Sequence, residues 1–344
     1  MTAKAFISGC AGTALTADEI AFFRGARPWG LILFKRNIGT PEEVCDLVAT
    51  FREVLDDPER PVLIDQEGGR VQRIAPPLWK SRPAARFAGT LYANDEAAGR
   101  RMAWLQGRLI AADLADLGIT VDCLPVLDVA TAETHPAIGD RSYGHDPDMV
   151  AILGAAAAEG LLAGGVLPVM KHMPGHGRAV IDSHHALPEV SASLSTLQKT
   201  DFAPFRALAA LPMAMTAHIV FKAIDPDQPA TTSRSVIETI IRGQIGFDGL
   251  LMSDDLSMKA LGGDVGERAA RVIGAGCDIV LHCNGDMAEM RAVAAAVPML
   301  EGRAAERAAA ALAHRHAAHP LDREAAEAEF MILAERSGWP PAVS

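Results

Sequence analysis

Apolar residues in this chain gather in short continuous runs, and between the runs the pattern lengthens to the three- and four-residue spacing of helices that bury one face. The runs are AFISGC (5–10), GLILF (30–34), PVLID (61–65), ITVDCLPVLDV (119–129), VLPVMK (166–171), AMTAHI (214–219), GLLMSDD (249–255) and DIVLHC (278–283). A strand covered on both faces needs continuous rather than alternating apolar character, so each run predicts a strand of a buried parallel sheet. Helix starts are written between them: Thr16 to Glu19 and Thr40 to Glu43 are capping boxes, the second with Pro41 at the first helical position. Helical spacing continues over 95–118, over 193–211 with an interruption at Pro204, and over 265–277. Eight strands alternating with helices is the number that closes a barrel, so the expected fold is a single-domain (β/α)8 barrel. A doubly wound open sheet would share the alternation, but no GxGxxG follows the first run to support one. After Asn284 the chain turns alanine-rich and helical, with Pro320 between two segments. We expect one domain over 1–344: a barrel over about 1–300, then closing helices packed outside it over about 301–344.

Composition narrows the classes. The chain has 344 residues, 49% of them hydrophobic and 22% charged, the make-up of a globular protein with ample core. A formal charge of -11 argues against a nucleic-acid surface, which would carry clustered Lys and Arg. The apolar stretch 151–170 is interrupted by Glu159 and by glycines at 154, 160, 164 and 165, so it predicts a buried helix entering a strand, with no membrane span. MTAKAFISGC lacks an apolar core behind a basic start, and a cytoplasmic location is expected. The five cysteines (10, 45, 123, 277, 283) are scattered without a CxxC pair, as suits reduced thiols rather than a structural zinc site.

In such a barrel the working residues follow the strands. Lys35, Arg36 and Asn37 follow the second run; Asp65, Gln66, Glu67, Arg70 and Arg73 the third; Asp128 the fourth. Lys171 and His172 follow the fifth, His218 the sixth, Asp254 and Asp255 the seventh, and His282 and Asn284 the eighth. Some of these are polar only because water begins at strand ends. The dense sets after the third, fifth and seventh strands ask for more. KHMPGHGRAVIDSHHALP (171–188) carries His172, His176, His184 and His185. A metal-dependent hydrolase would use His172, His176 and His184, yet the four-residue spacing of the first pair shares a face only in a helix, and Pro174, Gly175 and Gly177 make this a loop. No metal and no organic cofactor is expected. No G-x-S-x-G turn is present, and Ser183 is crowded between Asp182 and His184. Glycosyl transfer fits better, since it needs a carboxylate for an oxocarbenium-like centre and a proton donor for the leaving oxygen. Asp254 or Asp255 supplies the first. His184, whose ordinary pKa lies near about 6.5, supplies the second, with Asp182 two residues away to bond its ring N–H. A catalytically silent amino-sugar-binding barrel would keep the same pocket.

DQEGGRVQR (65–73), DRSYG (140–144), KHMPGHG with DSHHALP (171–188), TAHIVF (216–221) and SDDLSM (253–258) resemble, in order, the motifs of family 3 glycoside hydrolases. The resemblance implies Asp254 as a nucleophile forming a covalent glycosyl-enzyme, His184 as acid/base and Asp182 as its dyad partner. It further implies that Asp65, Arg73, Arg141, Lys171 and His172 bind N-acetylglucosamine. The implied activity is a retaining exo-β-N-acetylglucosaminidase acting on a small cytoplasmic amino-sugar, the peptidoglycan fragment N-acetylglucosaminyl-1,6-anhydro-N-acetylmuramic acid with or without peptide. Two places depart from the family's common pattern: Arg178 and Ala179 follow PGHG where an acidic residue and threonine are frequent, and Met173 stands where phenylalanine is.

Overall fold

The computed structural model describes residues 2–181 and 187–340. Eight parallel strands close on themselves: β1 (Lys4–Ser8), β2 (Pro28–Leu33), β3 (Val62–Ile64), β4 (Val121–Asp122), β5 (Leu167–Met173), β6 (Met213–Thr216), β7 (Leu250–Asp255) and β8 (Ile279–His282). Each pairs with the strand before it in the chain, and Phe6 opposite Val280 joins β1 to β8. The continuous apolar runs have a double use. Ile7, Ile32, Leu63, Val121, Val169, Met213, Met252 and Ile279 fill the barrel, while their neighbours Phe6, Leu31, Ile64, Met170, Ala214, Leu251 and Val280 pack outward under the helices. Complete burial of a large aliphatic side chain is worth about 1.5–3 kcal/mol, so neither face can turn polar without loss. The capping boxes at Thr16 and Thr40 form and open helices Ala17–Ala26 and Pro41–Leu55.

Three elements differ from expectation. The 119–129 run yields only a two-residue strand, because Pro125 has no N–H for the ladder; the chain rejoins the sheet at a single bridge, Val126 to Lys171. Segment 193–211 forms two short helices, Leu194–Lys199 and Ala203–Ala207, and Pro204 sits in the first turn of the second, where a missing N–H costs nothing. Helix Gly302–Ala313 does more than pack outside: Ala308 and Ala311 join the cluster filling the barrel, beside Ala3 and Trp29, and so seal its N-terminal end. The last helix, Arg323–Arg336, packs on helix Glu96–Asp116, where buried Arg82 bridges Glu327 (2.7 and 2.9 Å) and Asp113 (3.3 Å). The apolar stretch 151–170 divides into helix Pro147–Ala163 and the start of β5; among the described residues no helix is long and apolar enough to cross a membrane.

Two register irregularities position the site. Between Met170 opposite Ala214 and Met173 opposite Thr216, β5 advances three residues while β6 advances two. Between Met252 opposite Ile279 and Asp255 opposite Leu281, β7 gains one residue on β8 in the same way. An extra residue bends a strand and re-aims its side chains. The extra residues fall at Lys171–His172 and at Ser253–Asp254.

Candidate active site

The C-terminal ends of the strands surround a cavity of about 340 Å³, at the small-ligand end of the usual range. On one side stands an ionic lattice. Lys171, almost fully buried, places its Nζ 2.7 Å from Asp65 Oδ1 and 2.7 Å from Glu67 Oε1. Arg141 grips Glu67 with two parallel bonds of 2.8 and 2.7 Å, and Arg73 reaches Asp65 at 3.2 Å. Burial opposes the charge on both acids, yet Lys171 and Arg73 hold the Asp65 carboxyl well below its usual range, and Arg141 with Lys171 pulls Glu67 down to about 2. The lattice hangs on a hairpin, Gln66–Gly68 against Val71–Gln72. Gly68 turns it with φ +97°, and a Cβ there would lie 2.3 Å from Pro83 O. The Gln66 side chain clips the hairpin shut by accepting from the Arg73 N–H (2.8 Å) and donating to Ile74 O (2.9 Å).

His172 joins this side through Asp128, which is fully buried. Burial works against the Asp128 charge, but His172 and His176 bring the carboxyl down to about 2. As an ionised carboxylate only accepts, His172 Nδ1, 2.7 Å from Asp128 Oδ2, donates, and Nε2 is left towards Arg141 at 3.5 Å. The other Asp128 oxygen accepts from the backbone N–H groups of His172 (3.2 Å) and His176 (2.6 Å), so one carboxylate orients a ring and pins the turn after β5. Burial, then the neighbouring His172, lowers His176 to about 4, which keeps its ring neutral near pH 7.

The opposite side is spare. Asp254 lines the cavity, and its Oδ1 accepts from the Asp255 N–H at 2.8 Å; among the described residues nothing bonds Oδ2. Burial disfavours its charge, but His218, His172 and that N–H together hold the carboxyl below its usual range. Asp255 lines the same cavity but is held more firmly: its Oδ1 accepts from Ser257 N–H (3.0 Å), Ser257 O–H (2.9 Å) and Cys283 N–H (3.0 Å). Phe34 forms part of the wall, with the guanidinium groups of Arg73 and Arg36 at 5.0 and 5.3 Å from its ring centre.

Asp65, Arg73, Arg141, Lys171, His172 and Asp254 thus border one cavity. Asp182 and His184 lie outside the described residues. Sequence reading left Glu67, Asp128 and His218 without roles. Their signal is weak: each is a strand-end polar residue whose partner is distant in the chain, 74 residues away for Glu67 and Arg141. Of the departures, Arg178 forms an ion pair with buried Asp201 at 2.7 Å and bonds Thr200 Oγ1 at 3.0 Å, tying the arm after β5 to the neighbouring helix end. Among the described residues no group of three or more His, Cys, Asp or Glu is arranged to hold a metal ion.

Comparison with known proteins converges on one family. The glycosyl hydrolase family 3 N-terminal domain model matches residues 28–315. A protein of Bordetella pertussis named beta-hexosaminidase is 37% identical over 283 residues, 81% of this chain and 80% of that one. One of the same name from Pseudomonas aeruginosa is 37% identical over 287 residues, 83% of each. NagZ from Neisseria gonorrhoeae, solved in complex with N-trifluoroacetyl-D-glucosamine, superposes with a TM-score of 0.85 at 31% identity, covering 99% of both chains.

Proposed function

The chain belongs to glycosyl hydrolase family 3, and from that premise we propose that it is a retaining exo-β-N-acetylglucosaminidase working through a covalent glycosyl-enzyme. The observation that carries this reading is the asymmetry of the SDD pair. Both carboxylates line a cavity of sugar size, but among the described residues Asp254 is bonded by a single N–H, whereas Asp255 is tied to the strand end by three donors on Oδ1. The ionic lattice opposite is suited to the hydroxyl groups of one sugar ring, because a site built from fixed donors and acceptors leaves them unpaired when the wrong epimer enters. Relatives named beta-hexosaminidase, and a similar structure bound to an N-acylated glucosamine, favour an amino-sugar.

In the proposed mechanism, His184 in its protonated form gives its proton to the departing glycosidic oxygen as Asp254 attacks the anomeric carbon. The bond to the leaving sugar breaks and an ester to Asp254 forms. Neutral His184 then takes a proton from water, which attacks the same carbon, releases N-acetylglucosamine and restores both side chains. Asp182 would bond the other ring nitrogen and stabilise the imidazolium. Asp65, Arg73, Arg141, Lys171 and His172 would hold the sugar. The substrate is proposed to be N-acetylglucosaminyl-1,6-anhydro-N-acetylmuramic acid and its peptides, met in the cytoplasm during peptidoglycan recycling.

A 5-fluoro glycoside of N-acetylglucosamine that leaves a slowly hydrolysed ester tests the nucleophile by peptide mapping. Label on Asp254 is expected, and label on Asp255 or Glu67 would sink the assignment. For the acid/base, His184→Ala should slow substrates with poor leaving groups by ~10²–10⁴ while sparing activated aryl glycosides. Equal loss on both would make His184 structural.

A further inference from the structure

TAHIVF contributes no residue to the cavity wall, yet its histidine is fully buried and hydrogen-bonded at both ring nitrogens. His218 follows the end of β6. Its Nε2 lies 3.0 Å from the carbonyl oxygen of Asp255, and because a carbonyl only accepts, Nε2 carries a proton and donates. Its Nδ1 lies 2.8 Å from Thr231 Oγ1, which is itself held by Ala217 O at 3.0 Å and Thr216 Oγ1 at 2.8 Å, so the ring cannot tilt without breaking this cluster.

What the ring holds is the link the sheet does not. Pairing of β6 with β7 ends at Met215 opposite Met252, and the extra residue in β7 against β8 lies between Met252 and Asp255. Ser253 and Asp254 therefore fall where the ladder is interrupted on both sides. Asp255 is the next fixed point: its carboxylate is held from the β8 side by Cys283 N–H, and its carbonyl from the β6 side by His218. Its own N–H, 2.8 Å from Asp254 Oδ1, sets the direction of the carboxylate that faces the cavity.

We propose that His218 is a positioning residue for Asp254, acting through the Asp255 carbonyl to fix the peptide unit that aims the nucleophilic oxygen. The inference rests on the reading of Asp254 as the nucleophile. His218 also helps Asp254 stay ionised against the cost of burial. A buried histidine that only fills space would leave the chemistry of Asp254 untouched, and that is the contrast to test.

The experiment compares the rate of covalent labelling by the 5-fluoro glycoside with the inhibition constant of N-acetylglucosamine. In His218→Phe, which keeps the ring shape and loses the bonds, labelling and kcat should fall by on the order of 10²-fold, the scale expected when a reacting group is displaced by about 1 Å. Sugar affinity should hold, because the lattice around Lys171 is intact. His218→Gln, whose amide N–H reaches towards the Nε2 position, should recover much of the labelling rate. Labelling of His218→Phe at the wild-type rate overturns the proposal, and so does a loss of sugar affinity in step with labelling. If the phenylalanine variant does not fold, Thr231→Val takes its place: it frees the Nδ1 edge, and slower labelling with unchanged sugar affinity is expected, whereas the wild-type rate overturns the proposal. Mapping the wild-type label separates the two readings. Label on Asp254 with unaffected variants removes only the role of His218, whereas label on another residue removes the nucleophile and this inference with it.

Discussion

The two sides of the cavity are built on opposite plans. On the side of β3 to β5, Asp65, Glu67 and Asp128 are matched against Lys171, Arg141, Arg73 and His172, and three carboxylates are held ionised although burial opposes them. On the side of β6 to β8, Asp254 receives one N–H on one oxygen, and its other oxygen meets only the cavity among the described residues. The first arrangement is assembled before any ligand arrives, so that donors and acceptors wait at fixed places and binding demands little reorganisation. The second leaves an oxygen with no competing partner among the described residues, as the proposed bond formation to carbon requires. The difference teaches where each side is vulnerable. Buried ion pairs contribute little net stability while intact, but removing one member strands a charge away from water. A lightly bonded carboxylate has no such debt.

A substitution on each side should therefore fail in its own way. Asp254→Asn is expected to lower kcat by on the order of 10⁴-fold, as when a group acting directly in the chemistry is removed. Its unfolding midpoint in urea should be unchanged or raised, since the amide oxygen still accepts the Asp255 N–H. A variant both inactive and clearly destabilised would erase the distinction between the two sides. Lys171→Met is the reverse case. It leaves Asp65 and Glu67 facing each other with Arg73 and Arg141 alone to compensate, and a loss of ~3–5 kcal/mol is expected from denaturant unfolding. A Lys171→Met protein as stable as wild type would show the lattice to be far wetter than its burial implies.

The contrast also explains what could be read from the sequence. The barrel was legible because a strand buried on both faces must be apolar throughout, as in GLILF and DIVLHC, and because Thr16, Thr40 and Pro41 mark helix starts by local chemistry alone. The residues proposed to hold the sugar were legible as strand-end polar residues ordered by family motifs, and they border one cavity. That Asp254 and Asp255 both border the cavity was not legible from spacing, since adjacent strand residues alternate and an extra residue in β7 shifts that alternation. The same holds for Lys171 and His172 in β5, which serve one site although they are neighbours. Glu67 and Asp128 escaped because their roles exist only through Arg141, Lys171 and His172, brought close by closure of the barrel. Helix Gly302–Ala313 escaped as a seal because its buried contacts, Ala308 and Ala311 with Leu312 beside them, show that one face is covered but not which part of the barrel covers it.

The smallest effect sharpens the comparison through pH. An imidazole in the unfolded chain binds its proton near about pH 6.5 and a carboxylate near about pH 4, whereas in the fold His176 resists protonation down to about 4 and Glu67 and Asp128 down to about 2. Below each unfolded value the unfolded chain holds more protons than the folded one, so acid favours unfolding. Stability should thus be full above about pH 6.5, decline gently to about pH 4 through His176, and fall more steeply to about pH 2 through the carboxylates. A tenfold difference in proton affinity between fold and unfolded chain is worth about 1.4 kcal/mol, so each of these groups contributes a few kcal/mol to a decline spread over a wide range of acidity. Urea unfolding in a buffer series reads it directly. Asp128→Asn should flatten the lower stage, as it removes one of the depressed carboxylates, and Asp254→Asn should flatten it less, because among the described residues a single N–H bonds that group, against a ring nitrogen and two N–H groups on Asp128. If Asp254→Asn flattened the acid limb more than Asp128→Asn, the side of β6 to β8 rather than the ionic lattice would be the one stabilised by its charge.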